Sequence, residues 1–136
     1  MVPVLEQLLE KYPKQVKVVF KHFPIRSHNF ALKAAQATIA AHQQGKFWEF
    51  HDLLFKQYKK ISNKKIEEIR SKLELKADQF EKDMKAPQTM SKIREDAENG
   101  SEAGVRGTPT VYVNGILLRD KTLKGLEQAV ANALGK

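Results

Sequence analysis

The sequence contains no cysteine among its 136 residues. A chain without cysteine cannot form a disulfide, a thiolate metal site or a cysteine nucleophile of its own. It also lacks an apolar run of about eighteen residues and a basic segment followed by an apolar one at its start, so neither a transmembrane helix nor a signal peptide is visible. With 41% hydrophobic residues, it can still build the core of a single domain.

Metal-binding and hydrolytic motifs are also missing. Two histidines at helical spacing with a third ligand would indicate a metal centre, and no such pattern links the four histidines of the chain, His22, His28, His42 and His51. There is no glycine-rich phosphate loop, and no serine lies in a nucleophile-elbow context. We therefore expect no metal site and no cofactor.

Positive charge exceeds negative charge, since the chain has 24 lysines and arginines and 16 acidic residues, which give a formal net charge of +8. Such an excess raises the question of nucleic-acid binding. The lysines are spread along the chain with acids between them. The densest group is Lys56, Lys59, Lys60, Lys64 and Lys65, and Tyr58 is the one aromatic residue among them that could stack on a base. We interpret this group, and paired carboxylates such as Glu95-Asp96, as solvated faces and expect no nucleic-acid partner. A basic nucleic-acid-binding protein is the less favoured alternative.

The first twenty residues predict a helix followed by a strand. Apolar residues recur with a helical period up to Tyr12, and Pro13 ends the helix. The run Val16–Phe20 is short and largely apolar, which suits a strand buried on both faces of a sheet. A helix followed by such a strand is the latter part of a β-α-β unit.

The middle of the chain is predicted to be helical. An alanine-rich helix from Ser27 to His42 has small residues that allow close packing, and a second helix from Lys46 to Tyr58 holds Phe47 and Trp48, which we expect in the core. Later helices are marked by their first residues, namely Ser62 or Asn63, Asp78, and Pro87 for a longer helix that ends at Gly104.

Residues 105–115 predict a β-hairpin entered through a proline turn. Thr110–Val113 is β-branched and aromatic enough to form a strand, Asn114-Gly115 is the signal for a two-residue turn, and Ile116–Leu118 supplies the return strand. A final amphipathic helix begins after a Thr122 cap. Gly107 permits backbone angles that other residues resist, and Pro109 fixes φ and removes a donor. From spacing alone this is an ordinary hairpin with a trans proline at its mouth.

Four segments together resemble the DsbA-like thiol–disulfide oxidoreductases. They are Lys-His-Phe-Pro-Ile at 21–25, His-Asn-Phe-Ala-Leu-Lys-Ala-Ala-Gln-Ala at 28–37, Gly-Lys-Phe-Trp-Glu-Phe-His-Asp-Leu-Leu-Phe at 45–55, and Gly-Thr-Pro-Thr at 107–110. The last looks like the cis-proline loop of thioredoxin-fold proteins, so the resemblance favours a cis Thr108–Pro109 bond.

The resemblance implies an α/β, thioredoxin-like (DsbA-like) fold with an α-helical insertion, N-terminally truncated. It implies one domain over 1–136, with thioredoxin-fold parts at 1–25 and 105–136 and the insertion at 26–104. The family's first central strand and its Cys-x-x-Cys would both fall just before Met1. The resemblance thus leaves no catalytic residue in this chain.

By resemblance, the function is protein disulfide formation or isomerisation, with extended polypeptides as substrates and Gly107, Thr108 and Pro109 as their binding residues. The chain is then either a fragment of such an enzyme without its dithiol, inactive by itself, or a redox-inactive peptide-binding or structural module. The resemblance also implies a periplasmic or otherwise extracytoplasmic location. Because a missing central strand would leave sheet edges bare, we expect self-association through those edges.

Overall fold

A computed structural model describes residues 1–28 and 30–136 of the chain. The described part of the chain is mostly helical, with one short hairpin. In chain order, its elements are α1 Val2–Lys11, α2 Ala31–Gln43, α3 Phe47–Lys56, a 3-10 helix at Tyr58–Lys60, α4 Asn63–Lys72, α5 Ala77–Lys85, α6 Pro87–Glu102, β1 Tyr112–Val113, β2 Ile116–Leu117 and α7 Leu123–Ala133.

These elements form two compact units. We call Met1–Phe20 with Val105–Lys136 the hairpin unit, and Lys21–Gly104 the helical unit. None of the described helices is long and apolar enough to cross a membrane.

The hairpin unit has a small core. Its buried apolar side chains are Leu8 of α1, Leu118, and Leu126 and Val130 of α7. β1 and β2 pair in antiparallel register, with Tyr112 opposite Leu117. The predicted tight turn is present, because Asn114 and Gly115 both have positive φ, at 47° and 82°.

The helical unit has a larger core with more buried apolar side chains. Small residues allow α2 to approach its neighbours closely, and Ala37, Ala40 and Ala41 are fully buried. Phe50 of α3 is also fully buried and stacks on Phe80 of α5, with ring centroids 5.6 Å apart. The prediction of closely packed helices in this region is therefore confirmed.

The predicted strand Val16–Phe20 is wrong. No strand of the described residues pairs with this segment, so it is not part of a sheet. It is also not buried on both faces, because Lys17 and Val19 are exposed, Val19 by 63%. A strand is defined by its hydrogen-bonded partner, which an apolar run cannot specify.

Several element ends also differ from the predictions. The helix predicted from Ser27 begins at Ala31, and Asn29, which that prediction included, lies outside the described residues. The strand predicted from Thr110 begins at Tyr112. The expected cap at Asp78 is wrong, because α5 begins at Ala77 without a side-chain cap.

Two predicted caps are confirmed. The Ser62 hydroxyl accepts a hydrogen bond from the N–H of Lys65 at the start of α4, and the Thr122 hydroxyl accepts one from the N–H of Gly125 at the start of α7. Each satisfies a backbone donor that a helix start would leave unpaired.

Candidate functional site

The loop at residues 105–109 follows α6 through a sharp left-handed turn at Gly104, whose φ is +87°. Two side chains then fix the loop. The Thr110 hydroxyl donates to the carbonyl oxygen of Gly107 at 2.7 Å, and the Lys121 ammonium donates to that of Pro109 at 2.6 Å. The carbonyl groups at the centre and the end of the loop are therefore held from within the hairpin unit.

Thr108 and Pro109 are both exposed, and the peptide bond between them is cis, the isomer that the resemblance favours. The expectation that Gly107 uses backbone angles that other residues resist is wrong. Its φ lies outside the left-handed region, and a Cβ built on it would meet nothing within 4 Å. The loop therefore does not need the conformational freedom of glycine at this position.

The backbone at Thr108 is open. Within 1–28 and 30–136, no residue forms a hydrogen bond with the N–H or C=O of Thr108. An exposed, unpaired backbone donor and acceptor on a fixed loop can pair with an extended segment of another chain, as an added strand does.

The loop lies among basic residues in the sequence. Four cations, Arg106, Arg119, Lys121 and Lys124, occur in residues 105–124, against one acid, Asp120. The Asp120 carboxylate is used in the turn before α7, where it accepts a hydrogen bond from the N–H of Thr122 at 3.0 Å. Hydrogen bonds from the Thr122 hydroxyl and N–H hold the pKa of Asp120 below its ordinary value. This charge balance favours a neutral or acidic segment over a basic one.

A second polar cluster lies inside the helical unit, around Asp96 of α6. Only 1% of Asp96 is exposed, and its Oδ2 accepts a hydrogen bond from the N–H of His22 at 3.1 Å. Two ammonium groups lie near its Oδ1, that of Lys92 at 2.9 Å and that of Lys21 at 3.6 Å. The interpretation of Glu95-Asp96 as a solvated face is therefore wrong for Asp96. The sequence did hold a signal for its burial, because Asp96 lies three residues after the apolar Ile93 and therefore on the same side of the helix.

Ionisation in this cluster is set by burial and by close charges. Burial alone would raise the pKa of Asp96, but the His22 N–H and the Lys92 and Lys21 ammonium groups together hold that pKa below its ordinary value. Burial lowers the pKa of His22 to about 4, although the Asp96 carboxylate opposes the shift. His22 is therefore neutral at pH 7.

The histidines do not assemble a metal site in the described part of the chain, where no group of three or more suitable ligands occurs. His22, His42 and His51 instead surround the ring of Phe47, at centroid distances of 6.2, 6.1 and 5.8 Å. Trp48, predicted to lie in the core, is 41% exposed. This cluster packs α3 and offers no ligand geometry.

Comparison with known proteins bears on the whole chain. A family model described as the DSBA-like thioredoxin domain matches residues 1–131. The crystal structure of a thioredoxin-like oxidoreductase from Silicibacter pomeroyi DSS-3 superposes with a TM-score of 0.85 and 26% identity, over 99% of this chain and 78% of that one. These matches confirm the predicted thioredoxin-like, DsbA-like fold.

Curated relatives include two kinds of protein. The probable disulfide bond formation protein D of Bacillus anthracis is 31% identical over 99% of this chain and 66% of its own length. The Na(+)/H(+) antiporter NhaA 3 of Salinispora tropica is 33% identical over 83% of this chain and 17% of its own length. The chain thus spans about a sixth of the antiporter and just under two thirds of the disulfide bond formation protein.

Proposed function

Because the chain belongs to the family of DSBA-like thioredoxin domains, we propose that it binds extended polypeptide substrates of thiol–disulfide exchange. We assign this binding to Gly107, Thr108 and Pro109. The observation that carries the proposal is the exposed loop with an unpaired backbone at Thr108. Since the family is generally extracytoplasmic, we also propose that the chain acts outside the cytoplasm, with the periplasm as one such compartment.

Binding and exchange are separate steps in this proposal. Exchange requires a thiolate that attacks a disulfide sulfur, and this sequence contains no cysteine. Gly107, Thr108 and Pro109 therefore hold the substrate backbone, while no bond is broken or formed on them. In an oxidoreductase the dithiol would come from residues outside this sequence. In the alternative, a redox-inactive module, binding would be the entire function.

Peptide binding can be tested at Pro109. Its ring fixes φ and removes a backbone donor, so Pro109→Ala gives the loop new freedom and a new N–H. We expect the affinity for an acidic, extended, fluorescently labelled peptide to fall at least about tenfold, which corresponds to about 1.4 kcal/mol. Fluorescence anisotropy measures this directly.

Pro87→Ala is the matched control. Pro87 is also exposed, but it occupies the first position of α6, where alanine is well tolerated. This variant should bind the peptide as the parent chain does. Equal affinity of the parent and Pro109→Ala chains would remove the loop as the binding site, and absence of binding by the parent would refute the proposed function.

We further propose that the chain self-associates through residues 17–19. The backbone groups of Lys17, Val18 and Val19 form no hydrogen bond with any described residue. Val16 packs against the core of the hairpin unit, whereas Val18 is half-buried and Val19 is exposed. A backbone with open donors and acceptors beside apolar side chains is a template for pairing with another chain.

Sedimentation velocity at micromolar concentration tests the association. We expect dimers or larger species from the parent chain and monomers from Val19→Lys, because a charge on an open edge blocks pairing. Leu9→Lys makes the same chemical change on the partly exposed surface of α1 and should leave the association intact. A parent chain that stays monomeric would contradict the proposal, as would equal association of the Val19→Lys chain.

A further inference from the structure

Exposed aromatic and basic residues lie on α3, on the 3-10 helix that follows it and at the start of α4. The aromatic residues are Trp48, Phe55 and Tyr58, which are 41%, 47% and 64% exposed. The basic residues are Lys56, Lys59, Lys60 and Lys64, all exposed. We call these seven residues the α3 surface.

Two aromatic residues of the α3 surface, Trp48 and Phe55, are held in place by a third ring, that of His51. Trp48, His51 and Phe55 follow one another at helical spacing on one face of α3. The His51 ring lies 5.2 Å from the Trp48 ring and 4.3 Å from the Phe55 ring, between centroids. Because His51 is buried, Trp48 and Phe55 rest on a packed support and present their outer parts to solvent.

The basic part of the α3 surface is not neutralised. Lys56, Lys59, Lys60 and Lys64 form no ion pair with any carboxylate of the described residues. The nearby acids are engaged elsewhere, since Asp52 contacts the His51 Nδ1 at 3.0 Å and Glu49 lies 3.9 Å from the Lys46 ammonium. An anionic partner would therefore meet four ammonium groups that no described carboxylate neutralises, in the same stretch of chain as three exposed rings.

We propose that the α3 surface binds the headgroup region of an anionic membrane. Tryptophan and tyrosine rings prefer the boundary between hydrocarbon and water, and phenylalanine adds apolar area there. Clustered lysines are drawn to the negative potential of anionic lipids. The α3 surface combines both properties within seventeen consecutive residues, from Trp48 to Lys64.

A nucleic acid would also attract the lysines, but two of the three rings already have one face in contact with a neighbouring side chain. One side of the Phe55 ring lies against His51, and the Lys59 ammonium lies 5.7 Å from the centre of the Tyr58 ring. Stacking requires open ring faces, whereas insertion among headgroups requires only exposed ring edges. The geometry therefore favours lipid.

Trp48 is the only tryptophan of the chain and lies on the proposed surface, so it reports contact directly. We expect its emission to shift to the blue when vesicles of equal parts phosphatidylcholine and phosphatidylglycerol are added to the full chain. Phosphatidylcholine vesicles should give no shift, and co-sedimentation with the mixed vesicles should weaken as salt is raised.

Charge variants locate the contact. Replacing Lys56, Lys59 and Lys60 together by glutamate should weaken vesicle binding at least tenfold, and replacing them by glutamine should weaken it less while perturbing the fold least. Replacing Lys14, Lys72 and Lys82, which are exposed elsewhere, by glutamate is the matched control for net charge. Circular dichroism verifies that each variant is folded.

Four results would overturn the proposal. They are absence of binding to the mixed vesicles, binding without a blue shift of Trp48, equal weakening by the control variant, and tighter binding of a single-stranded oligonucleotide than of the vesicles. The last result would assign the α3 surface to nucleic acid. None of these outcomes depends on peptide binding at the loop of residues 105–109.

Discussion

The helical unit and the hairpin unit differ at two polar features, the buried Asp96 carboxylate and the open backbone at Thr108. In the helical unit, the buried Asp96 carboxylate is matched by the His22 N–H and by two lysine ammonium groups. In the hairpin unit, the backbone groups of Thr108 and of residues 17–19 have no partner among the described residues. Unpaired backbone persists only where water or another chain can satisfy it.

The two units also differ in the size of their cores. Fully buried alanines and Phe50 give the helical unit a dense core, whereas four buried side chains form the core of the hairpin unit. Binding residues are generally found on loops that a rigid scaffold positions. The proposed binding loop is held by Thr110 and Lys121, both within the hairpin unit.

The largest expected effect is on the core of the helical unit. Phe50→Ala removes a fully buried ring that stacks on Phe80, so we expect the free energy of unfolding to fall by about 4 kcal/mol. Phe55→Ala, on the same helix but half exposed, should cost less than about 1 kcal/mol. Urea unfolding measures both. A similar loss in the two variants would break the contrast between a packed interior and an open surface.

A smaller effect is expected on acidification. The pKa of His22 is about 4 in the folded chain against an ordinary value of 6.5, so the unfolded chain takes up this proton more readily. Stability should therefore fall as the pH is lowered from about 6.5 to about 4, by up to about 3 kcal/mol. The pKa of Asp96 is lowered from 3.8, so its contribution is lost only at still lower pH.

Urea unfolding at several pH values tests this prediction with two variants. His22→Gln removes the titrating ring and should flatten the pH dependence between 6.5 and 4. His28→Gln changes an exposed histidine and should leave that dependence unchanged. If the stability of the His22→Gln chain still falls as the pH is lowered from 6.5 to 4, the buried polar cluster of the helical unit does not cause that fall.

The sequence predicted the features that depend on residues close together in the chain, namely the helices and the hairpin turn. Apolar periodicity located the helices, and Asn114-Gly115 located the hairpin turn because both residues tolerate positive φ. The strand at Val16–Phe20 was wrong because pairing depends on a partner elsewhere in space. Asp96 was misassigned because His22, whose N–H donates a hydrogen bond to its carboxylate, lies 74 residues away in the chain.

The candidate site was located by resemblance more than by residue chemistry. Gly-Thr-Pro-Thr indicated the loop, but the open backbone at Thr108 and the ammonium of Lys121 on the Pro109 carbonyl emerged only with the three-dimensional arrangement. Trp48 and Phe55 are a second example, since the sequence of an aromatic helix does not indicate which of its rings stay exposed.

The central claim is that the backbone of the proline loop receives an extended polypeptide. The most direct test is a two-dimensional NMR titration of the isotopically labelled chain with an unlabelled, acidic, extended peptide. We predict that the amide resonances of Arg106, Gly107, Thr108 and Thr110 shift most, with the Thr108 amide moving as it gains a hydrogen bond. Shifts confined to the helical unit, or no shifts at peptide concentrations in the millimolar range, would contradict the account.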